Sequence, residues 1–543
     1  MQLSEIIFRH VATASIALML GGCAGSPLRI SCAPFRTHFS APVPSHDIVE
    51  AISSDSRRRG GFFDAAELAA LLAEEGPLGS PMSTELSKQM KISLEPMQRP
   101  RPLGRGEVDD ADAQPVYLML SGGGQWGAYG AGFFEALADS GDLPRAYLIT
   151  GVSTGGLQAL YLGAHQNDPD GQWLKQLRQQ YSPKEEAEIV DRGSWFGAAV
   201  TGSVAKLAPL RTRIEAALCP PGADGKPKAI LTEDDCPLIK ALAQTGRDKP
   251  VVLLGYVEAD SGRMLFTWVN HLATGKYQVA DPASPSGIRT EQLSVRDRQQ
   301  CLTATALASA AVPVQYQQLR IVSDEPQYGP QRPGTATRST EKAYMDGGVR
   351  QSVFFALPRA LLEAMMNPAR SDGAALPDDD YTELPGTTYV MRNGPTDARP
   401  DDAADRKSDA FTAAMRGYAL LVNQSEVSSI AALRLYWPTT PMKLSTADGY
   451  GKAFTDPDPT IEGRGKEDAM WPAGCHSDMT ADPQIQSPGM MFNPVFMRCL
   501  RAYGRYKARL ADGTANPNGA NRWINLPKIE IAWSSAPVRT GER

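Results

Sequence analysis

Five consecutive apolar residues, Val116-Tyr117-Leu118-Met119-Leu120, lead through Ser121 into the glycine-rich stretch Gly122-Gly123-Gly124-Gln125-Trp126-Gly127. An apolar run without polar alternation predicts a strand buried on both faces, the mark of a parallel sheet covered by helices on each side. An apolar helix is expected near Ala128 to Ala138, and Ala146-Tyr147-Leu148-Ile149 reads as the next strand. Together they make a strand–helix–strand unit of about thirty-five residues, whose crossover should be right-handed. The alternation continues downstream. Val251 to Glu258 and Arg263 to Val269 read as strands around the turn Ala259-Asp260-Ser261-Gly262, and Thr303 to Ala311 as an Ala-rich helix stopped by Pro313. Leu319 to Val322 reads as a strand, and Tyr344-Met345 leads into Asp346-Gly347-Gly348. Strands alternating with helices predict an α/β layer fold. No internal repeat is visible.

Two of the turns in this pattern carry chemistry. Gly151-Val152-Ser153-Thr154-Gly155 has the form G-x-S-x-G and falls between the predicted strand Tyr147 to Ile149 and the helical segment Gly156 to Ala164. The string alone is weak. Its placement between strand and helix is informative, because there the glycines clear space for neighbouring backbone while a strained turn exposes the serine hydroxyl. The helix beginning behind Ser153 favours negative charge developing in front of it. The turn Gly122 to Gly127 fits a flexible connection, a phosphate loop or an oxyanion hole. It has no Gly-Lys-Ser/Thr ending and meets G-x-G-x-x-G only loosely, which disfavours a nucleotide. Consecutive glycines instead present backbone amides that hold an oxyanion, each such donor being worth on the order of 3 kcal/mol of barrier stabilisation. Asp346-Gly347-Gly348 would by itself be an ordinary turn.

Taken in order, these three turns resemble the patatin-like phospholipase family. The resemblance covers roughly residues 114–436. It maps the oxyanion loop to Gly122, Gly123 and Gly124 with Gly127, the nucleophile elbow to Gly151 to Gly155, and the acidic motif to Asp346, Gly347 and Gly348. Ala308-Ser309-Ala310-Ala311-Val312-Pro313 is similar to a helix-ending stretch of that family, and Pro209-Leu210-Arg211 before a helix is similar as well. The resemblance implies a three-layer α/β/α fold with a mainly parallel central sheet, and a serine acyl-hydrolase of lipase or phospholipase A type. Ser153 would be the nucleophile and Asp346 the base, with no histidine in the pair. Lipid or phospholipid esters would be the substrates, with no cofactor. There are two departures. Trp126 stands where the family usually has Arg or Lys, and Gln351-Ser352 where it often has Asn. The first removes the ground for expecting an anionic head group beside the loop, but not the backbone donors. Burial of Asp346 beside Tyr344, Met345 and Val349 would raise its pKa from the reference value of about 3.9 and make it a better base.

The ends of the chain read differently. Arg9 and His10 precede the apolar stretch Val11 to Leu20, which has the length of a signal-peptide h-region and is too short to span a bilayer. Leu20-Gly21-Gly22-Cys23 resembles the bacterial lipobox, with Cys23 as the lipidated residue. Ala24 stands where an inner-membrane retention signal would place Asp, so the expected location is the outer membrane facing the periplasm, with a lipid anchor at the membrane surface. Residues 1–22 are thus expected to be a signal peptide and residues 23–113 a Pro-, Ser- and Arg-rich tether with a helical patch at Ala65 to Glu75. Residues 114–436 are the expected acyl-hydrolase domain. Residues 437–543 are a C-terminal extension on or around it, with a helix near Val495 to Ala511 and a strand-like Lys528 to Trp533. Beyond Cys23 there are six cysteines, an even number suited to an oxidising compartment. Cys219 with Cys236, and Cys475 with Cys499, flank loops and are conceivable pairs, though spacing does not fix connectivity and buried free thiols fit equally well. None has zinc-ligand spacing, so no metal is expected. The net charge of −6 and the lack of a dense basic run interleaved with aromatics argue against nucleic acid as a partner.

Two other functions are compatible with these residues. One is an α/β-hydrolase triad of Ser153, Asp346 and His476, in that chain order. The other is a non-catalytic envelope scaffold built on a hydrolase core. Phe133-Phe134 and Trp195-Phe196 suit either a lipid-facing surface or helix packing.

Overall fold

The computed structural model describes residues 27–43, 115–193, 203–246, 249–280, 288–313, 315–324, 339–355, 386–396, 410–450, 475, 491–514 and 521–529. In chain order come β1 (Leu28–Ser31), β2 (Ser40–Pro42), β3 (Val116–Leu120), α1 (Gly127–Ser140), β4 (Leu148–Val152), α2 (Thr154–Asn167) and α3 (Trp173–Gln180). The short pair β5 (Asp191–Arg192) and β6 (Ala205–Lys206) precedes α4 (Ala208–Leu218), α5 (Pro237–Leu242), β7 (Val251–Glu258), β8 (Met264–Trp268) and α6 (Val269–Thr274). A hairpin of β9 (Lys276–Ala280) and β10 (Ile288–Gln292) leads to α7 (Val295–Ala310), β11 (Leu319–Asp324) and β12 (Ser339–Asp346). The chain continues with β13 (Thr387–Met391), α8 (Ala410–Tyr436), β14 (Met442–Ser445), α9 (Pro494–Ala508) and β15 (Ile524–Asn525).

The main sheet runs β1-β11-β12-β7-β4-β3-β13-β14-β15, with β8 on the second edge of β7 and β2 on β8. Its centre, β7-β4-β3-β13-β14, is entirely parallel. The side chains explain why. Along β3, Leu118 and Leu120 enter one core while Tyr117 and Met119 enter the other, and along β7 Val252, Leu254 and Tyr256 oppose Val251, Leu253 and Val257. Such strands bury both faces only between two helical layers, which gives a three-layer α/β/α fold. One layer is built from α1, α2, α7 and α9. The other face is covered by the end of α8 through Leu433 and by Trp437, together with Phe354 and Phe355. Phe133 and Phe134 are fully buried on α1, which makes them packing residues, and Trp195-Phe196 lies outside the described residues.

Both ends of the chain enter this fold more deeply than their composition indicates. Residues 23–113 were expected to be a tether, yet β1 pairs in parallel with β11, β2 pairs with β8, and Phe35 and Phe39 are fully buried. Cys32 is bonded to Cys301 of α7 across 269 residues of sequence. The predicted helical patch at Ala65 to Glu75 lies outside the described residues. The C-terminal segment is likewise structural. β14 extends the parallel sheet beside β13, and α9 packs along α1 so closely that a Cβ on Gly132 would sit 2.1 Å from the Arg501 carbonyl oxygen. Residues 528 and 529 form no strand, and 530–533 lie outside the described residues. The remaining cysteines form Cys219–Cys236 and Cys475–Cys499.

Candidate active site

Parallel strands collect the loops that follow them at one edge of the sheet, and ligands of open α/β folds bind there. Three loops meet at the carboxyl ends of neighbouring strands: residues 121–126 after β3, Ser153 after β4 and residues 392–394 after β13. The fourth component arrives from the opposite direction. Strand β7 pairs with β4 over Val251 to Gly255 and with β12 over Tyr256 to Glu258. Strand β8 pairs with Leu253 to Val257 and therefore occupies the other edge, so β4 and β12 lie end to end along a single edge of β7. Val152 faces Gly255 and Asp346 faces the next residue, Tyr256. Ser153 and Asp346 are brought together where the two strands meet.

At that junction the Ser153 side chain acts on the Asp346 carboxyl and favours its ionised form. Ser153 has φ 55°, and among the described residues it alone has a positive φ without being glycine. A non-glycine residue in that region costs of order 1–3 kcal/mol and persists only where its surroundings hold it. The holding groups are visible. The Ser153 amide donates to Ser309 Oγ at 2.8 Å, and Ser309 Oγ donates to the Gly255 carbonyl at 2.8 Å. A Cβ on Gly151 would lie 2.3 Å from the Gly155 carbonyl oxygen, and one on Gly155 would lie 2.4 Å from that of Leu120, so side chains at either position would push the elbow apart. Ser153 stands at the N-terminus of α2, whose dipole favours an anion in front of it.

Asp346 is buried, with 4% of its surface exposed. Its amide donates to the Ala311 carbonyl at 3.0 Å, and the Gly348 amide donates to its Oδ1 at 2.7 Å. Burial pushes its pKa up to about 6, against the opposing effects of Ser153 and of the Gly348 amide. Gly347 lies against β7, where a Cβ would sit 3.0 Å from the Gly255 carbonyl oxygen.

The glycine loop lines the other side of Ser153. A Cβ on Gly122 would be 3.3 Å from Ser153 Cβ. Gly123 and Gly124 are exposed and have φ of 141° and 56°, which side-chain-bearing residues rarely adopt. The loop is held from several directions. The Ser121 amide donates to the Met391 carbonyl at 2.9 Å, and the Asn493 amide donates to Gln125 Oε1 at 3.0 Å. Gly127 starts α1 directly against the elbow, with room only for hydrogen beside Thr154 and Tyr181. Trp126, in the position expected to be basic, packs edge-on against Tyr450 and Phe496 with ring centroids 5.2 and 5.0 Å away. An aromatic anchor to α9 replaces the cation.

The family profile for patatin-like phospholipases matches residues 118–358, a span that contains the glycine loop, the Ser153 elbow and Asp346-Gly347-Gly348. Residues 118–358 are a patatin-like phospholipase domain. Among solved structures, the chain is similar to VipD from Legionella pneumophila, with 15% identity and a TM-score of 0.20 over 60% of this chain and 59% of that one. It is also similar to human GIVD cytosolic phospholipase A2 in complex with methyl gamma-linolenyl fluorophosphonate, with 12% identity and a TM-score of 0.30 over 77% and 60% of the two chains. The chain thus spans about 60% of the length of each of these structures. A search of curated protein sequences returned no match.

The patatin-like phospholipase domain has no described histidine at its serine. His165 lies in the last turn of α2, about 18 Å along the axis from Ser153 at 1.5 Å per residue. His271 is stacked on Trp268, and His38 lies beside Tyr277. His476, the triad alternative, lies outside the described residues, as does Cys23. Ser309 carries no sequence signal as a support for the elbow, and neither Gln158 nor Asn393 stands out in the sequence. Gln158 Nε2 donates to the Gly127 carbonyl and to Asn393 Oδ1, both at 2.9 Å, and Asn393 Nδ2 donates to the Ser121 carbonyl at 2.8 Å. Ser309 does fall in a stretch that resembles the family. Asn393 carries no local signature.

Proposed function

We propose that this protein is a lipid acyl-hydrolase in which Ser153 is the nucleophile and Asp346 the base. The observation that carries this is the strand register that sets the buried Asp346 carboxyl beside Ser153, the one strained, non-glycine residue among those described. Asp346 takes the Ser153 proton as Oγ attacks the ester carbonyl. The negative charge on the tetrahedral oxygen is held by the amides of Gly122, Gly123 and Gly124 and by the N-terminus of α2. Collapse expels the alcohol, which takes the proton back from Asp346. Water, deprotonated by Asp346, then attacks the acyl-serine, and collapse releases the fatty acid as the Ser153 oxygen leaves and takes that proton from Asp346. A carboxylate whose pKa is about 6 is half-ionised near pH 6 and is a stronger base than an exposed aspartate.

Phospholipids or related lipid esters are the substrate class that fits the family, and release of fatty acid from defined phospholipids, read by mass, tests it. Release by the wild type that disappears in Ser153→Ala supports the assignment. Failure of a fluorophosphonate probe to label Ser153 in folded protein would overturn it in favour of a scaffold. Loss of turnover in His476→Ala with only weakening in Asp346→Asn would favour the triad.

We further infer that the protein is exported and lipidated at Cys23, anchored at the outer membrane and facing the periplasm. Pairing of all six other cysteines is consistent with an oxidising compartment. Metabolic labelling with palmitate, lost in Cys23→Ser, is the test.

A further inference from the structure

Behind the glycine loop lies a buried ion pair that the proposed chemistry does not use. Arg392, 2% exposed, follows β13, and its Nε is 3.2 Å from Oε2 of Glu426 on α8, which is 7% exposed. Arg392 also donates from Nη1 to the Thr396 carbonyl at 2.9 Å and from Nη2 to Asn423 Oδ1 at 2.6 Å. A buried ion pair is seldom the most stabilising choice, since well-packed apolar residues of similar volume often do as well. What this pair touches is therefore informative. Glu426, whose pKa burial raises, is acted on in the opposite direction by Arg392 and by Ser121, the residue immediately before Gly122. Ser121 Oγ also accepts from the Asn393 amide at 3.0 Å and lies 2.9 Å from the Gly122 carbonyl as a donor. Asn393 closes the other side. A Cβ on Gly123 would lie 2.0 Å from its carbonyl oxygen, so Gly123 rests directly on Asn393.

We propose that Arg392, Asn393 and Glu426 are positioning residues that fix the glycine loop beside Ser153 through Ser121. The proposal rests on the oxyanion role given to that loop above. All three lie beyond residue 358, outside the family-matched segment. The physical logic is that oxyanion donors are useful only if they are held in place before charge develops, and a run of three glycines has no stiffness of its own. The loop borrows stiffness from the end of β13 and from α8.

The test uses the full chain and a soluble p-nitrophenyl ester, after confirming that wild-type hydrolysis is lost in Ser153→Ala. Absence of that Ser153-dependent activity would overturn the proposed function itself and this inference with it. Given that activity, Ser121→Ala and the double variant Arg392→Met/Glu426→Leu are compared with wild type for kcat, KM and melting temperature. The double variant removes both charges together, so no unpaired ion is left buried. Positioning predicts that kcat falls roughly ten- to a hundredfold in both, with KM within about twofold and with a double-variant melting temperature close to wild type. Wild-type kcat in folded Ser121→Ala, or in the folded double variant, would overturn the proposal. If the double variant does not fold, Ser121→Ala decides by the same kcat and KM criteria, since it removes a single oxygen.

Discussion

Ser309 holds Ser153 by its backbone: its Oγ accepts the Ser153 amide at 2.8 Å and passes its own proton to the Gly255 carbonyl at 2.8 Å. One hydroxyl on α7 thus ties the strained elbow to β7, the strand against which Asp346 at the end of β12 is paired. Ser309→Ala leaves a buried donor and a buried acceptor unpaired, at a cost of about 1–3 kcal/mol. The expected outcome is a lower melting temperature together with a several-fold loss of kcat, measured by thermal denaturation and ester hydrolysis on the same preparation.

Asp346 should set the acid limb of the pH profile. As a base it must be ionised, and burial raises its pKa to about 6, so kcat/KM should rise with pH to a plateau with an apparent pKa near that value. A pH–rate profile from pH 4 to 9 checks this, and a limb near 4 would contradict it.

The same shift has a stability sign. In the unfolded chain Asp346 ionises near 3.9, so between about pH 4 and 6 the folded state binds more protons and stability falls as pH rises. Above the folded pKa the penalty is complete and constant. Asp346→Asn removes it while keeping an oxygen for the Gly348 amide. The variant should be inactive yet more stable than wild type at pH 7–8, by at most about 3 kcal/mol, with little difference near pH 4. Denaturant melts at the two pH values read this directly.

Two neighbouring glycines should respond differently to alanine. At Gly123 the new methyl would meet the Asn393 carbonyl oxygen at 2.0 Å, and φ is 141°. At Gly124 no atom lies within 4 Å and φ is 56°. Gly124→Ala therefore faces only the left-handed backbone cost of about 1–2 kcal/mol, whereas Gly123→Ala must displace backbone. Gly123→Ala should lose most activity and Gly124→Ala should keep more of it.

Disulfide removal should report on the N-terminal strand. Cys32–Cys301 joins β1 to α7, the helix that carries Ser309. Cys32→Ser/Cys301→Ser is expected to lower stability by about 2–5 kcal/mol. A non-reducing peptide map should recover this pair along with Cys219–Cys236 and Cys475–Cys499.

Much of the centre of this protein was legible from local pattern. Val116 to Leu120 and Val251 to Glu258 are strands over the expected residues, and the turns at Gly122, Ser153 and Asp346 fall where strand and helix signals change. Those signals are short-range: apolar periodicity, glycine where the backbone turns sharply, and a helix start behind a serine. They also fixed the order of the three turns, which carried the family resemblance. Other features had no such signature. Val116-like runs announce a buried strand, but Leu28 to Ser31 is four residues in a Pro- and Ser-rich segment, and it becomes a strand only because β11 offers it an edge. Asn393 and Glu426 look like ordinary polar residues of a loop and a helix. The role proposed for them depends on Ser121, which Asn393 meets by hydrogen bonds although it lies more than 250 residues earlier in the chain.

The sequence by itself determined a parallel α/β core and named the serine, the aspartate and the glycine loop, because each is written in neighbouring residues. Only the tertiary structure decided that Ser153 and Asp346 meet. That contact depends on β4 and β12 sharing one edge of β7 while β8 takes the other, and hydrogen-bond capacity along a strand edge is a property of the assembled sheet that no short stretch of sequence encodes.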